Sequence, residues 1–495
     1  MTSIANPRAD ALPGRSTWLR GDALPLVVIA LAVLLTRSAY LGDPVADYDE
    51  QLYSFIGWRM QFGELPFVDW WDRKPFGLFA LFAVAHALFG PEAVAYQTLA
   101  FAFAVAGAWL TYRLARLLAD RVAATVAAVI QTVLLCAYAS YSAQSEVFFL
   151  PLMLGMVLLL ADREHPHFRR RALVAMLLGG LALQIKYTVL PQCAFLGLYA
   201  LWVEHRRGSS LPPIVALGAI FAVLGLAPTI AVGLFYAATG GFEAFFFANF
   251  TSFFDRLPSS QGRWTNDFYI GIAPIAILVL GGIYAAFRMR RPEPFPVWVF
   301  YCAWAASVLA GILLPSTVYL YYYAAMSAPA ALVAVPLLDR RAPGKGIPGV
   351  ALAIGLLALL MIPQRYAESL ERRAEVGRLA AAIAPHVGRD SDCLWLFDGP
   401  TVLYRLTESC VPTRFVYPDH LNNALEVRAL GVDQTDEVAR VLAMRPGAIV
   451  TANRPVTPQN KAATALVQDE LVANYDKSVS AEMHGRTLTA WIRRD

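Results

Sequence analysis

Residues 211–238 read LPPIVALGAIFAVLGLAPTIAVGLFYAA, a run without a charged side chain. As an α-helix it would be about 42 Å long, which exceeds the ~30 Å hydrocarbon core of a bilayer. Similar runs recur down to about residue 363, and only 16% of the residues are charged. Soluble proteins average about 25%. Continuous Leu- and Ala-rich runs without strict alternation favour membrane helices over a barrel.

The sequence predicts an all-α polytopic membrane domain of about eleven transmembrane helices. The predicted spans are residues 22–41, 92–114, 122–140, 146–162, 172–185, 188–203, 211–238, 268–287, 295–314, 318–338 and 347–363. The first span follows a basic N-terminus, but no small-residue cleavage site comes after it, so we interpret it as an uncleaved helix. The fifth and sixth spans are short for a bilayer and could instead form one bent hairpin.

Basic residues concentrate in alternate connections between these spans. They are Arg113, Arg116 and Arg121; Arg163 and Arg169 to Arg171; Arg206 and Arg207; Arg288, Arg290 and Arg291; and Arg340, Arg341 and Lys345. By the positive-inside rule these five connections and the N-terminus are cytoplasmic. The sequence therefore predicts a multi-pass protein of the bacterial inner membrane whose C-terminal segment lies in the periplasm.

The chain divides into three predicted parts: a cytoplasmic tail (1–21), a transmembrane domain (22–363) with an outer loop (42–91), and an extracytoplasmic domain (364–495). The last part alternates strand-like and helical runs after a helical tether, which predicts a small α/β domain. The predicted strands are Cys393–Phe397, Thr413–Val416, Ala448–Val450 and Thr487–Ile492, and the predicted helices are Gln364–Ala384, Asn423–Leu430, Asp436–Met444 and Lys461–Val472. Cys393 and Cys410 lie on the oxidising side, where a disulfide between them is one of two open alternatives.

The outer loop is rich in acids and aromatic residues. Its carboxylates are Asp43, Asp47, Asp49, Glu50, Glu64, Asp69 and Asp72. Apolar residues at three- and four-residue steps predict an amphipathic helix over residues 49–62. The short apolar run Pro75–Leu88 predicts a second helix lying in the membrane interface. A solvated acidic loop without a chemical role is the alternative interpretation.

Four loop residues could carry chemistry on a lipid phosphate. Asp49 or Glu50, at the start of a helix by the bilayer surface, could accept a proton from a hydroxyl group as general base. Lys74 offers a point charge at headgroup height, and Arg73 a bidentate fork for the same phosphate.

Three residues from later segments are further candidates. Glu146 begins the fourth span, where stabilisation by the helix dipole is the competing explanation. Lys186 lies between the fifth and sixth spans, and its alternative is snorkelling to the interface. Tyr321 belongs to the run Tyr319–Tyr323, which could contact a sugar or lipid or simply form an interfacial belt.

The sequence contains no phosphate-binding Gly-x-x-x-x-Gly-Lys-Ser/Thr loop, no Rossmann fingerprint and no His-Glu-x-x-His motif. ATP-driven transport and zinc proteolysis therefore lack their usual residues. No nucleic-acid partner is expected.

The ordered elements of the outer loop resemble a known family. Asp49-Glu50, then Asp72-Arg73-Lys74-Pro75, then Phe89-Gly90 are similar to the first periplasmic loop of GT-C glycosyltransferases. The nearest resemblance is to glycosyltransferase family 39, which includes protein O-mannosyltransferases and the lipid A aminoarabinose transferase. Glu146 and Lys186 also match positions of that pattern.

The resemblance implies transfer of a sugar from a polyprenyl-phosphate donor to a hydroxyl acceptor on a lipid, glycan or protein, beside membrane lipids. It implies that Asp49 is the base, with Glu50 orienting it, and that Arg73, Lys74 and Lys186 bind the donor phosphate. The supporting or substrate-binding residues would be Asp47, Asp69, Asp72, Glu146 and Tyr321. A divalent cation, Mg²⁺ or Mn²⁺, is left open, and its ligands would be Asp49, Glu50 and Glu146.

Two other classes compete with a transferase. A transporter or flippase of a lipid-linked glycan would use the same cations to grip phosphate, but it should show repeat symmetry and acids at the bilayer midplane. A membrane sensor with an outer α/β binding domain would not need the acidic outer loop.

Overall fold

The structure, a computed structural model, describes residues 21–259, 265–315, 317–339 and 348–494. The described residues are mostly helical. In chain order the helices are α1 (Ala23–Arg37), α2 (Tyr48–Arg59), α3 (Phe76–Phe89), α4 (Ala93–Ala115), α5 (Arg121–Ala137), α6 (Ser145–Ala161), α7 (Phe168–Leu183), α8 (Leu190–Arg206), α9 (Leu211–Ala238), α10 (Phe242–Phe246), α11 (Ser252–Asp255), α12 (Asn266–Arg288), α13 (Phe295–Leu313), α14 (Ser327–Val333), α15 (Val335–Leu338), α16 (Pro348–Ile383), α17 (Leu403–Leu406), α18 (Gln434–Ala443) and α19 (Lys461–Asn474).

Within the described part of the chain, five helices are long and apolar enough to cross a membrane. They are Ala23–Tyr40, Ala93–Ala115, Leu211–Ala238, Phe268–Arg288 and Phe295–Leu313. Helices α3, α5 and α6 are apolar but shorter. The count of about eleven spans, like the sidedness, stays a prediction. The predicted tail (1–21), except Gly21, and the basic loop from Arg340 to Lys345 lie outside the described residues.

Two predicted spans have a different structure. Residues 318–338 are not one helix: Leu320–Met326 is a 3₁₀ segment, and α14 and α15 follow it. Pro336 lacks the backbone N–H that would continue α14 into α15. The last predicted span and the predicted tether are instead a single helix, α16, of 36 residues.

Helix α6 lies inside the bundle between α4 and α7. Its residues Val147–Leu150, Met153 and Leu154 are buried, as expected for a helix that is apolar all round. The N-terminal end of α6 carries Glu146, and this packing therefore fixes that carboxylate inside the bundle.

The outer loop forms the two predicted helices, α2 and α3. Leu52, Phe55 and Ile56 of α2 are buried as predicted, but Glu50 and Gln51 are buried too, and no residue of α2 is exposed, so the helix is not amphipathic. The two helices approach closely at Gly57, where an added Cβ would lie 2.7 Å from the Phe82 Cβ. Close packing against α3 fixes the direction in which α2 projects its N-terminal carboxylates.

The C-terminal part contains a four-stranded sheet of order β1-β2-β4-β3, built from β1 (Leu394–Leu396), β2 (Ala448–Ala452), β3 (Tyr475–Met483) and β4 (Arg486–Arg493). Strands β1 and β2 are parallel, and the other pairs are antiparallel. This confirms a small α/β unit. The sheet also contains β3, which the sequence did not suggest because this edge strand is mostly polar.

Two predicted elements of this part are wrong. Thr413–Val416 is not a strand; it runs beside the outer loop, and the Arg414 carbonyl accepts a hydrogen bond of 3.1 Å from the Trp71 N–H. The predicted helix Asn423–Leu430 is reduced to one 3₁₀ turn, Ala424–Glu426. Cys393 and Cys410 form a disulfide, which settles the open alternative.

Candidate active site

The Asp49 carboxylate lies at the centre of a polar cluster between the outer loop and the C-terminal unit. Its Oδ1 accepts a hydrogen bond of 2.9 Å from the Tyr417 hydroxyl. Its Oδ2 accepts bonds from Tyr53 at 3.2 Å and from Gln144 at 3.1 Å. The side chain remains 14% exposed. Burial alone would raise the pKa of Asp49, but Lys74 and the hydrogen bonds from Gln144 and Tyr417 hold it below its ordinary value. Asp49 is therefore ionised at neutral pH.

Asp47 fixes the start of α2 rather than facing the cluster freely. Its Oδ1 accepts the Asp49 N–H at 2.9 Å and a bond of 3.2 Å from the Gln144 amide, and it caps the helix. Burial and the neighbouring charges of Asp49 and Glu50 raise the pKa of Asp47 well above its usual range. Its role in the structure is to position Asp49.

Lys74 approaches Asp49 from the end of the outer loop. The Lys74 Nζ lies 3.9 Å from the Asp49 Oδ2 and 5.3 Å from the centroid of the Tyr53 ring. Its side chain is 25% exposed. Burial would lower the pKa of Lys74, but Asp49 and Asp72 raise it, so the ammonium group keeps its charge. Asp72 also accepts the Lys74 N–H at 2.6 Å and thereby orients this residue.

Lys186 and Glu146 form a buried ion pair beside this cluster. Glu146 also accepts a hydrogen bond of 2.9 Å from the Ser145 hydroxyl. The Lys186 Nζ lies 4.6 Å from the ring centroid of Tyr322 and 4.9 Å from that of Tyr321. These distances suit cation–π attraction. The predicted candidates Glu146, Lys186 and Tyr321 therefore lie together.

Arg73 does not stand free for a phosphate. Its guanidinium forms a bidentate ion pair with Glu426 of the C-terminal unit, with Nη2 to Oε1 at 2.7 Å. Glu426 also pairs with Arg256, whose Nε is 2.9 Å from Oε1. Arg73 is therefore one of two cations that share one buried carboxylate, and in this structure its contact joins the outer loop to the C-terminal unit.

Glu50 is fully buried, and its hydrogen bonds go to groups other than Lys74 and Lys186. It accepts the Ala143 N–H at 2.7 Å and a bond of 3.1 Å from the Gln97 amide. Burial raises the pKa of Glu50 to about 7. These contacts hold α2 against the segment before α6 and against α4.

Asp69 belongs to a different region. It is exposed, accepts the Leu65 N–H at 2.7 Å, and lines a groove with Arg414 and Arg440. Asp69 stabilises the turn in which it lies, and it makes no contact with Asp49 among the described residues.

The three carboxylates that were named as ligands in case a divalent cation is bound have separate partners. Asp49 contacts Tyr417 and Gln144, Glu50 contacts Gln97 and Ala143, and Glu146 contacts Lys186. Across the described ranges no group of three His, Cys, Asp or Glu side chains is arranged to hold a metal ion. In the described residues these three carboxylates therefore do not converge on one point.

Sequence reasoning missed the contributions of Tyr417, Gln144 and Glu426. Tyr417 and Glu426 are 368 and 353 residues from their partners in the outer loop. No local pattern links such distant positions. Gln144 could have been found from the sequence, because it immediately precedes the helix that carries Glu146.

The fold and the site define a class: a helical membrane protein with an ionised carboxylate beside cations at the junction of an outer loop and an α/β unit. Residues 73–231, about a third of the chain, match the family described as dolichyl-phosphate-mannose-protein mannosyltransferase. A comparison with curated protein sequences gives no match. The resemblance to GT-C glycosyltransferases is confirmed by the family match and the structural likeness below.

The particular structures that share this fold include ArnT from Cupriavidus metallidurans bound to undecaprenyl phosphate. The TM-score is 0.60 at 15% identity, over 95% of this chain and 98% of that chain. The apo state of ArnT matches with the same TM-score at 14% identity. A weaker likeness, with a TM-score of 0.49 at 11% identity over 88% of this chain and 70% of that chain, is to the archaeal oligosaccharyltransferase AglB from Archaeoglobus fulgidus in complex with an inhibitory peptide and a dolichol-phosphate. At these identities the ArnT likeness shows a shared fold.

Proposed function

We propose that this protein transfers a sugar from a polyprenyl-phosphate donor to a hydroxyl acceptor at the periplasmic face of the bacterial inner membrane. The observation that carries the proposal is the 3.9 Å separation of the Asp49 carboxylate from the Lys74 ammonium group. An ionised base and a charged cation thus face one partly open site. The family match over residues 73–231 and the undecaprenyl phosphate bound by ArnT support a polyprenyl-phosphate donor.

In the proposed reaction, Asp49 takes the proton of the acceptor hydroxyl while the oxygen of that hydroxyl bonds to the anomeric carbon of the sugar. The bond from that carbon to the phosphate oxygen breaks, and the polyprenyl phosphate leaves with the electron pair. Lys74 faces the site and stabilises the negative charge that develops on the leaving phosphate. Lys186, which is paired with Glu146, is proposed to add positive potential beside the same site. A direct displacement of this kind inverts the anomeric configuration.

The structure supports a narrower set of roles than the full group of candidates. Asp49 and Lys74 would act on the substrates, and Lys186 and Tyr321 would border the donor phosphate. Asp47, Asp72 and Glu146 would position these groups. In this proposal the residues that act on the substrates belong to the transmembrane domain (22–363). The extracytoplasmic domain (364–495) supplies a surface that supports them.

The test is sugar transfer in reconstituted vesicles that contain candidate polyprenyl-phosphate donors and hydroxyl acceptors. Asp49→Asn should lower the rate at least about a hundredfold, since general base catalysis typically contributes 10²–10⁴. Asp69→Asn is the matched control, because Asp69 is an outer-loop carboxylate that lies away from the cluster. Equal rates for the wild type and Asp49→Asn would refute the assigned base. Passage of the intact lipid-linked glycan across the bilayer without sugar transfer would favour the transporter instead.

Lys74→Met tests the phosphate side of the same proposal. Removing an ammonium group from the leaving phosphate should lower transfer by about 10²- to 10³-fold. The loss should be smaller for donors with a better leaving group, because less charge then needs stabilising. An equal loss for every donor would contradict the role of Lys74 in phosphate departure.

A further inference from the structure

The C-terminal unit contacts the proposed base directly. Tyr417, from the segment after Thr413–Val416, donates its hydroxyl to the Asp49 Oδ1 at 2.9 Å. Asp49 has two further hydrogen-bond donors, Tyr53 and Gln144, and both of them bond Oδ2. Among the described residues, Tyr417 is therefore the hydrogen-bonding partner that fixes the other oxygen.

The backbone holds the Tyr417 side chain in this direction from both sides. Before it, the Arg414 carbonyl is bonded to Trp71 of the outer loop, and the Val416 carbonyl accepts a bond of 3.3 Å from the Thr401 hydroxyl. After it, the Tyr417 carbonyl accepts the His420 N–H at 3.1 Å. The Tyr417 and His420 rings also lie 5.5 Å apart. The hydroxyl is thus pre-positioned by the fold of the C-terminal unit.

The unit is anchored to the outer loop and to the start of α4 by charged contacts on either side of Tyr417. Glu426 binds Arg73, and Arg405 binds Glu92 with Nη1 to Oε1 at 2.8 Å. Burial, followed by the charges of Asp49 and Asp419, raises the pKa of the Tyr417 hydroxyl well above its usual range. The hydroxyl therefore stays protonated and can only donate to the Asp49 carboxylate.

We propose that Tyr417 is a positioning residue for Asp49, so that the docked C-terminal unit completes the active site. The proposal rests on the proposed function of Asp49 as base. Rotation of Asp49 about its side-chain bonds is restrained at Oδ2 by Tyr53 and Gln144 and at Oδ1 by Tyr417. Both oxygens must be held if one of them is to meet an acceptor hydroxyl in a fixed direction.

The test compares Tyr417→Phe with Tyr475→Phe in the full chain. Tyr475 is a matched control, since its buried hydroxyl donates to the Pro446 carbonyl at 2.7 Å elsewhere in the same unit. Tyr417→Phe should lower kcat about tenfold, the worth of one hydrogen bond to a charged group, and leave the KM of donor and acceptor unchanged. Tyr475→Phe should change neither. An unchanged kcat in Tyr417→Phe would overturn the proposal.

A second readout does not depend on transfer. Carbodiimide labelling of Asp49 at pH 6, followed by mass spectrometry, should be about tenfold faster in Tyr417→Phe, because a freed carboxylate is more easily protonated and approached. An unchanged labelling rate would overturn the proposal. Faster labelling in a protein that transfers no sugar would support the contact and refute the proposed function instead.

Replacement of Tyr417 by 3-fluorotyrosine covers the case in which Tyr417→Phe does not fold. The fluorinated ring keeps the hydroxyl and nearly the same size, and its O–H is a stronger donor. Labelling of Asp49 should then be slower than in the wild type while kcat is retained. Labelling at the wild-type rate would overturn the proposal.

Discussion

Breaking the Lys186–Glu146 ion pair separates a structural role from a functional one. Both side chains are almost completely buried, with exposures of 6% and 2%. Lys186→Met would leave the Glu146 charge buried without its cation, and loss of one partner of a buried pair costs about 3–5 kcal/mol. The Ser145 hydroxyl donates to Glu146 at 2.9 Å with or without Lys186, so Glu146 keeps one partner and the cost should lie at the lower end of that range. We therefore expect a loss of about 3 kcal/mol in unfolding free energy.

The measurement is equilibrium unfolding by denaturant in detergent micelles, compared with a double variant, Lys186→Met with Glu146→Leu. Apolar replacement of both partners of a buried pair is often neutral, so the double variant should unfold within about 1 kcal/mol of the wild type. If Lys186→Met is as stable as the wild type, the pair contributes nothing, and the reasoning from burial is wrong.

The same double variant then tests function without the stability effect. If Lys186 and Glu146 together serve the donor phosphate, the stable double variant should still transfer sugar at least about tenfold more slowly than the wild type. Recovery of both stability and full transfer would show that Lys186 is only a structural partner of Glu146.

Three further predictions concern the outer loop and the disulfide. Burial raises the pKa of Glu50 from 4.5 to about 7, so between these pH values the folded state holds a proton that the unfolded state releases. Stability should therefore fall as the pH rises from 4.5 to about 7, and Glu50→Gln should flatten that slope in unfolding free energy measured against pH. Asp47→Ala should lose about 1 kcal/mol of helix capping and also slow transfer, whereas Asp47→Asn keeps the cap and should retain most of both. Replacing Cys393 and Cys410 together by Ser should lower the unfolding free energy by about 3 kcal/mol, since the bond closes a loop with a sequence separation of 17; an unchanged denaturation midpoint would contradict this.

The local part of the site was predictable from sequence because its residues are close in the chain and follow simple patterns. Helices α2 and α3 follow from apolar spacing, and Asp49 and Lys74 lie at the N-terminal ends of α2 and α3. The close approach of the two helices at Gly57 then fixes how these two ends lie relative to each other. Short sequence separation limits the arrangements that such a loop can adopt.

The long-range part could not be predicted in the same way. Arg73 carries the features of a phosphate ligand, yet its partner Glu426 lies 353 residues later, in a segment that was expected to be a longer helix. The polar strand β3 was missed because its exposed face obscures the apolar alternation. Which acids and bases meet depends on how the C-terminal unit docks, and docking has no signature in a local pattern.

The three cations of the site differ in how fully their charge is already compensated. Arg73 shares Glu426 through two contacts, and Lys186 is paired with Glu146 in a buried site, whereas the nearest carboxylate to Lys74 is 3.9 Å away, beyond hydrogen-bond distance. In the proposed reaction the donor phosphate would therefore gain the most electrostatic stabilisation from Lys74. Its negative charge would then weaken the hold of Lys74 on Asp49, and the pKa of Asp49 would rise from its depressed value. Donor binding would thereby make Asp49 a stronger base at the moment when the acceptor hydroxyl must lose its proton.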